Sequence, residues 1–501
     1  MDCVLAVDQG TTGSRAALYA ADGSRVASAY REFPQYFPRP GWVEHDALEI
    51  WRSVVECISG VLACAPSARV AAVGITNQRE TTIAWDSSTG EPLCRAIVWQ
   101  CRRTADRCAE LNRDVNQRRT VRRITGLPVD AYFSASKLEW LLANVPAVAR
   151  AARSGSLRVG TVDSWLLWKM TGGTVHATDY TNAARTMLFD IDRLCWSEEL
   201  VAEFGVPPSA LPHVRSSMGP FGVTAAGWGL PSGVLISGIA GDQQAALFGQ
   251  GCLEAGSAKN TYGTGVFVLL NAGASRPRGD ERLITTLGCG TEGRPVYVLE
   301  GAVFSAGAVI QWLRDELHLL GSAAESEQMA ASVADNAGVY FVPALAGLGA
   351  PYWDPEARGT ISGITRGTTK NHIVRAAVEA MCYRTRDVVE AMLEDTGLQL
   401  SELKVDGGAA ANSFLCQFQA DMLGVAVVRP GDVESTARGA AALAGLGSGF
   451  WKDARELEAA RTVDRVFRPV MPREQSHFLY RQWQRAVRSA LAGRDKDSCR
   501  A

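Results

Sequence analysis

Apolar residues along the chain gather in short runs closed by small polar turns, and their spacing assigns the elements. Residues 4–7 form an apolar run that stops at Asp8; a turn rich in Gly and Thr follows, and the apolar run resumes at 16–18. This pattern predicts two buried strands joined by a turn. Asp22-Gly23-Ser24 marks a second turn and residues 25–30 a third strand, so the chain is predicted to open with three consecutive antiparallel strands. Asp46 stands as an N-cap with Glu49 completing a capping box, ahead of Ile50, Trp51, Val54, Val55, Ile58, Val61 and Leu62 at helical spacing. Further strands are predicted at 70–75, 96–99 and 234–236. A charged, mostly helical stretch covers 102–123, and helices are predicted at 136–142, 161–170 and 245–248.

The second half repeats the opening logic. Residues 257–262 lead into Gly263-Thr264-Gly265 and a strand at 266–270, again a small turn between two strands. A helix over 302–320 places Gly307 and Gln311 on one face. A long helix covers 371–394, a strand at 403–405 runs into Asp406-Gly407-Gly408, and the tail past Phe467 has amphipathic helical character, with 494–501 frayed. Gly249-Gln250-Gly251 is the best boundary, which gives domains 1–248 and 249–501 in a duplicated α/β architecture.

Composition narrows the class. The 501 residues are 47% hydrophobic and 21% charged with a net charge of −2, the profile of a globular protein with no broad nucleic-acid surface. The N-terminus lacks a basic stretch before its apolar run, and no run approaches the roughly eighteen apolar residues of a spanning helix. A cytoplasmic protein is expected. None of the twelve Cys stands in a C-x-x-C pair; Cys94, Cys101 and Cys108 lie seven apart, a spacing that could align them on one helix face, although the favoured reading is ordinary core or surface thiols. The six His are scattered, and no H-E-x-x-H occurs.

Candidate chemistry begins at the first turn. Gly10 and Gly13 permit a tight turn or a close approach, and the amides and the hydroxyls of Thr11, Thr12 and Ser14 suit an anion. Asp8 suits Mg²⁺ through water and Arg15 a phosphate oxygen. The alternative is a plain hairpin with an Asx-turn at Asp8. No Walker A sequence is present. Arg79-Glu80, in the polar run 76–82, would suit a small substrate with several hydroxyls, or else form a solvated ion pair. Trp99 either walls a site or fills the core, and Asp242 is either an N-cap or a general base.

These pieces occur as a set. Asp8-Gln9-Gly10-Thr11-Thr12, Thr76-Asn77-Gln78-Arg79-Glu80-Thr81-Thr82, Ile97-Val98-Trp99-Gln100-Cys101-Arg102-Arg103, Gly238-Ile239-Ala240-Gly241-Asp242-Gln243-Gln244, Asn260-Thr261-Tyr262-Gly263-Thr264-Gly265 and Asp406-Gly407-Gly408 stand in order. Together with Gly347-Leu348-Gly349-Ala350-Pro351-Tyr352-Trp353-Asp354-Pro355 and Thr365-Arg366-Gly367, they resemble the FGGY carbohydrate kinases over nearly the whole chain.

The resemblance implies an actin-like two-domain fold, with ribonuclease-H-like mixed sheets flanked by helices and a cleft between the domains. It implies transfer of the γ-phosphoryl of ATP, with Mg²⁺, to glycerol, giving sn-glycerol 3-phosphate as the first step of glycerol catabolism. Carried over by position, Asp242 is the general base. Arg79, Glu80, Tyr132, Asp242 and Gln243 hold the hydroxyls, and Trp99 and Phe267 pack on the carbon backbone. Thr11 stands beside the polyol and the phosphates; Thr12, Gly13, Arg15 and Thr264 position the phosphates, with Asp8 near the metal. Gly307, Gln311, Gly408 and Asn412 line the ribose and base side. A homo-oligomer, dimer or tetramer, is expected.

Departures from the resemblance are also visible. Gly13 stands where many relatives have serine, and residues 224–231 lack the arginine some relatives use for an inhibitory sugar bisphosphate. His213 is not in the context of a phosphorylated histidine, so both modes of regulation are in doubt. The competing readings are a related kinase acting on a pentulose or gluconate, and an actin-like ATP-binding scaffold without turnover.

Overall fold

A computed structural model of the chain describes residues 1–279, 281–432, 434–459 and 461–492; the expected fraying at 494–501 lies outside the described residues. The opening apolar runs form β1 (Asp2–Gln9), β2 (Gly13–Ala20) and β3 (Arg25–Glu32), antiparallel in sequence order. With β4 (Arg69–Asn77), β5 (Met218–Val223) and β6 (Leu235–Gly241) they build a six-stranded sheet in the order β5-β6-β4-β1-β2-β3.

The near-continuous apolar character of β1 follows from cover on both faces. Cys3, Leu5 and Val7 pack with Ile50, Val54, Cys57, Ile58 and Val61 of the helix Ala47–Cys64, whereas Val4 and Ala6 pack with Ala437, Ala440, Ala441 and Ala444. Each large side chain in the first group contributes roughly 1.5–3 kcal/mol by leaving water. The second group belongs to the helix Ser435–Ser448, so the C-terminal part of the chain returns to cover the first sheet. That helix lies very close. A Cβ on Gly74 would overlap the carbonyl of Ala440, one on Gly238 the backbone of Ala444, and one on Gly439 the carbonyl of Ala245.

The second sheet contains β7 (Ala258–Tyr262), β8 (Val266–Gly273), β9 (Ile284–Cys289), β10 (Pro295–Val303), β11 (Glu402–Asp406), β12 (Ala426–Pro430) and β13 (Val463–Phe467). Their order is β9-β10-β8-β7-β11-β12-β13. In each sheet an antiparallel hairpin (β1–β2, β7–β8) is flanked by two successive parallel neighbours of its first strand (β4 then β6, β11 then β12) and closed by an antiparallel edge. The repeat suggested by the two Gly/Thr turns is therefore a repeat of topology.

Several expectations shift. The helix expected over 302–320 starts later, at Gly307–Asp315, because Ala302 and Val303 pair with Phe267 and Val266 as the end of β10. The charged stretch 102–123 divides into Ala105–Arg113 and Val115–Thr125, broken where Asp114 turns extended and caps the second helix through the amides of Asn116 and Gln117. Asp46 caps the helix Ala47–Cys64 as expected, but the Glu49 carboxylate accepts from the Tyr36 hydroxyl at 3.0 Å instead of closing a capping box. Cys94 and Cys101 precede the helix that holds Cys108, so the three share no helix face. Among the described residues no helix is long and apolar enough to cross a membrane.

Candidate active site between the two sheets

The parallel strands β1, β4 and β6 end in register at Gln9, Asn77 and Gly241. Asp8, Arg79 and Asp242 therefore emerge at one edge of the sheet, the carboxyl end where open α/β sheets present ligand sites.

The first turn is closed by a 2.9 Å hydrogen bond from Gly10 N to the Gly13 carbonyl. A side chain at Gly13 would force its neighbours to move, since a Cβ there would stand 2.5 Å from the Tyr30 hydroxyl and 2.6 Å from the Arg31 carbonyl. Gln78 Nε2 donates to Gln9 Oε1 at 2.9 Å and to the Gly10 carbonyl at 3.2 Å, and Gln35 Nε2 donates to the Thr11 carbonyl at 3.0 Å. His45 joins the two glutamines, with Nε2 at 2.6 Å from Gln35 Oε1 and Nδ1 at 3.3 Å from Gln78 Nε2. That pairing fits a neutral imidazole carrying its proton on Nε2, and burial pushes its pKa down to about 4. Above this base, Thr11 Oγ1 accepts from Trp99 Nε1 at 2.9 Å, which ties the turn to an aromatic wall in which Trp99 meets Tyr132 edge-on at 5.5 Å. Thr12 is exposed on the rim, with its hydroxyl 3.4 Å from that of Tyr30.

Arg15 is already engaged. Its guanidinium pairs with Glu434 at 3.0 Å and lies 5.5 Å from the centre of the Tyr30 ring. Burial pushes the Asp8 carboxyl up to about 7, helped by the charges of Asp242 and Glu434 and opposed by Arg15. Among the described residues no group of three or more metal-ligating side chains exists. The donor set fits a cation that keeps most of its waters and takes one carboxylate, the usual habit of Mg²⁺.

Next to the turn lies a buried ionic cluster. Arg79 and Glu80, whose solvated alternative fails, are 3% and 1% exposed. Glu80 has a φ of 58°, a strained value for a residue with a Cβ. Its carbonyl takes the Lys137 ammonium at 3.1 Å and the Thr82 and Ser134 hydroxyls at 3.0 and 3.2 Å, contacts that hold this conformation. Its carboxylate takes Arg185 Nε at 2.6 Å, and burial still holds its pKa above the ordinary value despite the two arginines. Arg79 reaches Glu300 through Nη1 at 2.6 Å and Nη2 at 3.2 Å, and Asp242 Oδ1 through Nε at 3.1 Å. Its longer contacts go to Gln244 Oε1 at 3.4 Å and the Tyr132 hydroxyl at 3.5 Å.

Asp242 opens the helix Asp242–Gly249, with Gly241 as the capping residue. Its Oδ1 accepts from Gln243 N at 2.7 Å as well as facing Arg79, and its side chain is 32% exposed. Among the described residues Oδ2 makes no hydrogen bond, so one oxygen is fixed and the other is left to the cleft. Gln243 Oε1 accepts from Lys259 Nζ, which also donates to Thr261 Oγ1 at 2.7 Å. Burial lowers the pKa of this ammonium. Phe267 pairs with Thr261 across the hairpin and with Ala302 on its other side, and packs against Leu247, Cys252, Leu269 and Val298.

The second turn is held by backbone alone. Gly263 N donates to the Gly265 carbonyl at 2.9 Å, and the first turn of the helix Gly307–Asp315 closes on it, with Gly307 N to the Gly263 carbonyl at 3.1 Å and Ala308 N to the Thr264 carbonyl at 3.1 Å. Thr264 is exposed. A Cβ on Gly407 would overlap the Tyr262 carbonyl, whereas one on Gly408 would meet nothing within 4 Å. The two glycine turns and Gly307 thus meet at the end of β7. Gln311 is exposed one turn along its helix, and Asn412, directly after the Gly408–Ala411 turn, caps the helix Ser413–Leu423 through Leu415 N at 2.9 Å.

The sequence reasoning missed Arg185, Glu300, Lys259, His45 and Gln35. Glu300 had a signal: a lone carboxylate in the apolar run Val298-Leu299-Glu300-Gly301-Ala302 demands a buried partner. Arg185 and Lys259 stand in equally apolar or neutral surroundings. His45 and Gln35 gave none.

Comparison with known proteins agrees with this geometry. The profile of the N-terminal domain of the FGGY family of carbohydrate kinases matches residues 3–249, and that of the C-terminal domain residues 258–448. The chain is 55% identical to a glycerol kinase of Carboxydothermus hydrogenoformans over 489 residues, 97% of this chain and 98% of that protein. A crystal structure of Plasmodium falciparum glycerol kinase with ADP matches with a TM-score of 0.94 at 33% identity, covering 98% of each chain. Gluconate kinase from Lactobacillus acidophilus matches with a TM-score of 0.89 at 22% identity, covering 98% of this chain and 99% of that one, which speaks for the fold only. By sequence over almost its full length, and by two sheets of repeated topology in the actin-like arrangement, the chain belongs to the FGGY family of carbohydrate kinases.

Proposed function

We propose that the protein transfers the γ-phosphoryl group of ATP to glycerol, giving sn-glycerol 3-phosphate, with domains 1–248 and 249–501 closing on the two substrates. The observation that carries this reading is Asp242: a carboxylate with one oxygen fixed by Arg79 and Gln243 N, the other left to the cleft, and a phosphate-type turn at the end of each sheet. The names of the relatives, and the ADP of the Plasmodium structure, support glycerol and a nucleotide.

In this mechanism the chain's own residues position and neutralise. Phosphoryl transfer needs little covalent help, so alignment and charge carry the rate. Asp242 orients the attacking hydroxyl and takes its proton through the free oxygen, an effect of about 10²–10⁴-fold. The long contacts of Arg79 to Gln244 and Tyr132 are those a glycerol hydroxyl would replace, with the Glu80 carboxylate and Gln243 as further partners. Trp99, Tyr132 and Phe267 face the carbon chain. The hydroxyls of Thr11, Thr12 and Thr264 and the amides of both turns, Gly13 among them, receive phosphate oxygens. Arg15 would exchange Glu434 for phosphate. Mg²⁺, when bound beside Asp8, would offset charge on the phosphates. Gly307, Gln311, Gly408 and Asn412 would flank the nucleoside, with Gly408 leaving room for it. Closure would exclude water and limit idle ATP hydrolysis.

Incubation with MgATP and glycerol, followed by NMR and chiral analysis of the product, tests the reading. The expected product is sn-glycerol 3-phosphate with one ADP per molecule formed; ADP release without a phosphorylated polyol would overturn it.

A further inference from the structure

Glu300 lies inside β10 with no exposed surface, between Leu299 and Gly301. It belongs to the second sheet, and both of its charged partners belong to the first half of the chain. Oε2 accepts from Arg79 Nη1 at 2.6 Å; Oε1 accepts from Arg79 Nη2 and Arg185 Nη2, each at 3.2 Å. Arg185 in turn holds Glu80 at 2.6 Å, and Arg79 Nε holds Asp242 at 3.1 Å. One carboxylate thus fixes two guanidiniums, and each guanidinium orients a carboxylate placed at the polyol site.

A tie between the halves that served stability alone would have no reason to run through the side chain that touches the base. Burying a charged group in this way is costly unless its bonds are complete, and here both oxygens are used. Arg185 Nη1, by contrast, is buried and among the described residues has no hydrogen-bond partner, so Glu300 carries the contact of that guanidinium with the second sheet. The two arginines lower the pKa of the Glu300 carboxyl to about 2 against the effect of burial, so it remains an anion in ordinary buffers.

We infer that Glu300 is a positioning residue for phosphoryl transfer: reaching from the second sheet, it sets Arg79 and Arg185 so that Asp242 and Glu80 stand correctly only when the two halves are together. The inference rests on the reading of Asp242 and Arg79 given above. It adds a residue that need not touch either substrate and makes the polyol site, though built mostly from the first half, depend on the second.

Glu300→Gln and Glu300→Asp test it, with folded fraction and melting temperature measured alongside kinetics. The expected result for Glu300→Gln is a glycerol KM raised about 10-fold or more and a kcat lowered about 10- to 100-fold, with the MgATP KM within about two-fold of the parent. Glu300→Asp keeps the charge on a shorter arm and should recover part of the loss. If Glu300→Gln does not fold, Glu300→Asp carries the test by the same KM-against-kcat split, and calorimetric glycerol affinity provides a reading independent of turnover. Parent-like kinetics in the folded variants, or losses that merely track the folded fraction, would overturn the inference. The parent is assayed first on glycerol, xylulose and gluconate. Preference for another polyol would defeat the glycerol reading, while Glu300 would still be judged on that polyol by the same ratios.

Discussion

Both sheets place a glycine–threonine turn at the end of an antiparallel hairpin whose first strand has a parallel neighbour, yet the two turns are supported in opposite ways. The turn at Gly10–Gly13 rests on the buried side chains of Gln9, Gln78 and His45 and the half-buried Gln35, and is tied sideways to Trp99. The turn at Gly263–Gly265 rests on the amides of the helix Gly307–Asp315 and the glycines beside Asp406. The same backbone frame is therefore supported in two ways. In the first region a side-chain network whose members are bonded to one another fixes the turn. In the second region the turn is packed by glycines and backbone, and among the described residues a Cβ on Gly408 would meet nothing within 4 Å. Arg79 and Glu300 join the two regions.

Asp242→Asn should break the first region hardest: kcat should fall by about 10²–10⁴-fold with nucleotide affinity unchanged within about two-fold, as read by ADP release and by nucleotide titration. Parent-like kcat would show that the proton goes elsewhere. Arg79→Ala comes next, with a glycerol KM raised about 10²-fold against a small change for ATP. It should also lose up to about 3–5 kcal/mol of stability in denaturant titration, because the buried Glu300 carboxylate loses its contacts on both oxygens and keeps only Arg185 Nη2. An ATP KM that rises more than the glycerol KM would interchange the two regions.

Paired glycine substitutions sharpen the contrast between the turns. Gly13→Ala should cost about 1–3 kcal/mol, since the new methyl meets Tyr30 and the Arg31 carbonyl. Gly263→Ala, with its nearest neighbour at 3.7 Å, should stay within about 0.5 kcal/mol. Equal losses would mean that the turns are supported alike.

A further effect concerns pH. His45 takes a proton in the unfolded chain as pH falls through the ordinary value of 6.5, whereas the folded protein resists until about 4. The unfolded state therefore binds more protons across that window, and stability falls as pH drops through it. His45→Gln should remove about 1–2 kcal/mol of the acid loss at pH 5, seen as a shallower dependence of the denaturant midpoint on pH. An unchanged slope would mean that His45 is not held neutral.

How much of this was legible in the sequence differs between the two regions. The strands of both hairpins, the long helix Lys370–Thr396 and the Asp46 cap follow from period and turn chemistry, which are local properties. The end of β10 at Val303 was not, because pairing with β8 overrides a helical pattern. Arg79, Glu80, Trp99, Tyr132, Asp242 and Gln243 were singled out by their motifs, and the structure draws them together. Their charge partners were not: Arg185 stands 105 positions from Glu80 and Glu300 stands 221 from Arg79, and only the fold shows which buried charges meet. Arg15 shows the reverse, a residue whose motif suggests phosphate but whose neighbour across the turn, Glu434, comes from the far end of the chain.

Comparison of kcat/KM for glycerol, xylulose and gluconate, by coupled ADP release at saturating MgATP, tests the central claim most directly. The account predicts glycerol ahead of both by about 10²-fold or more, because buried partners fix Arg79, Asp242 and Gln243 in positions that a polyol of different length and hydroxyl pattern would match less well. Preference for xylulose or gluconate, or nucleotide binding with no polyol-dependent turnover, would contradict it.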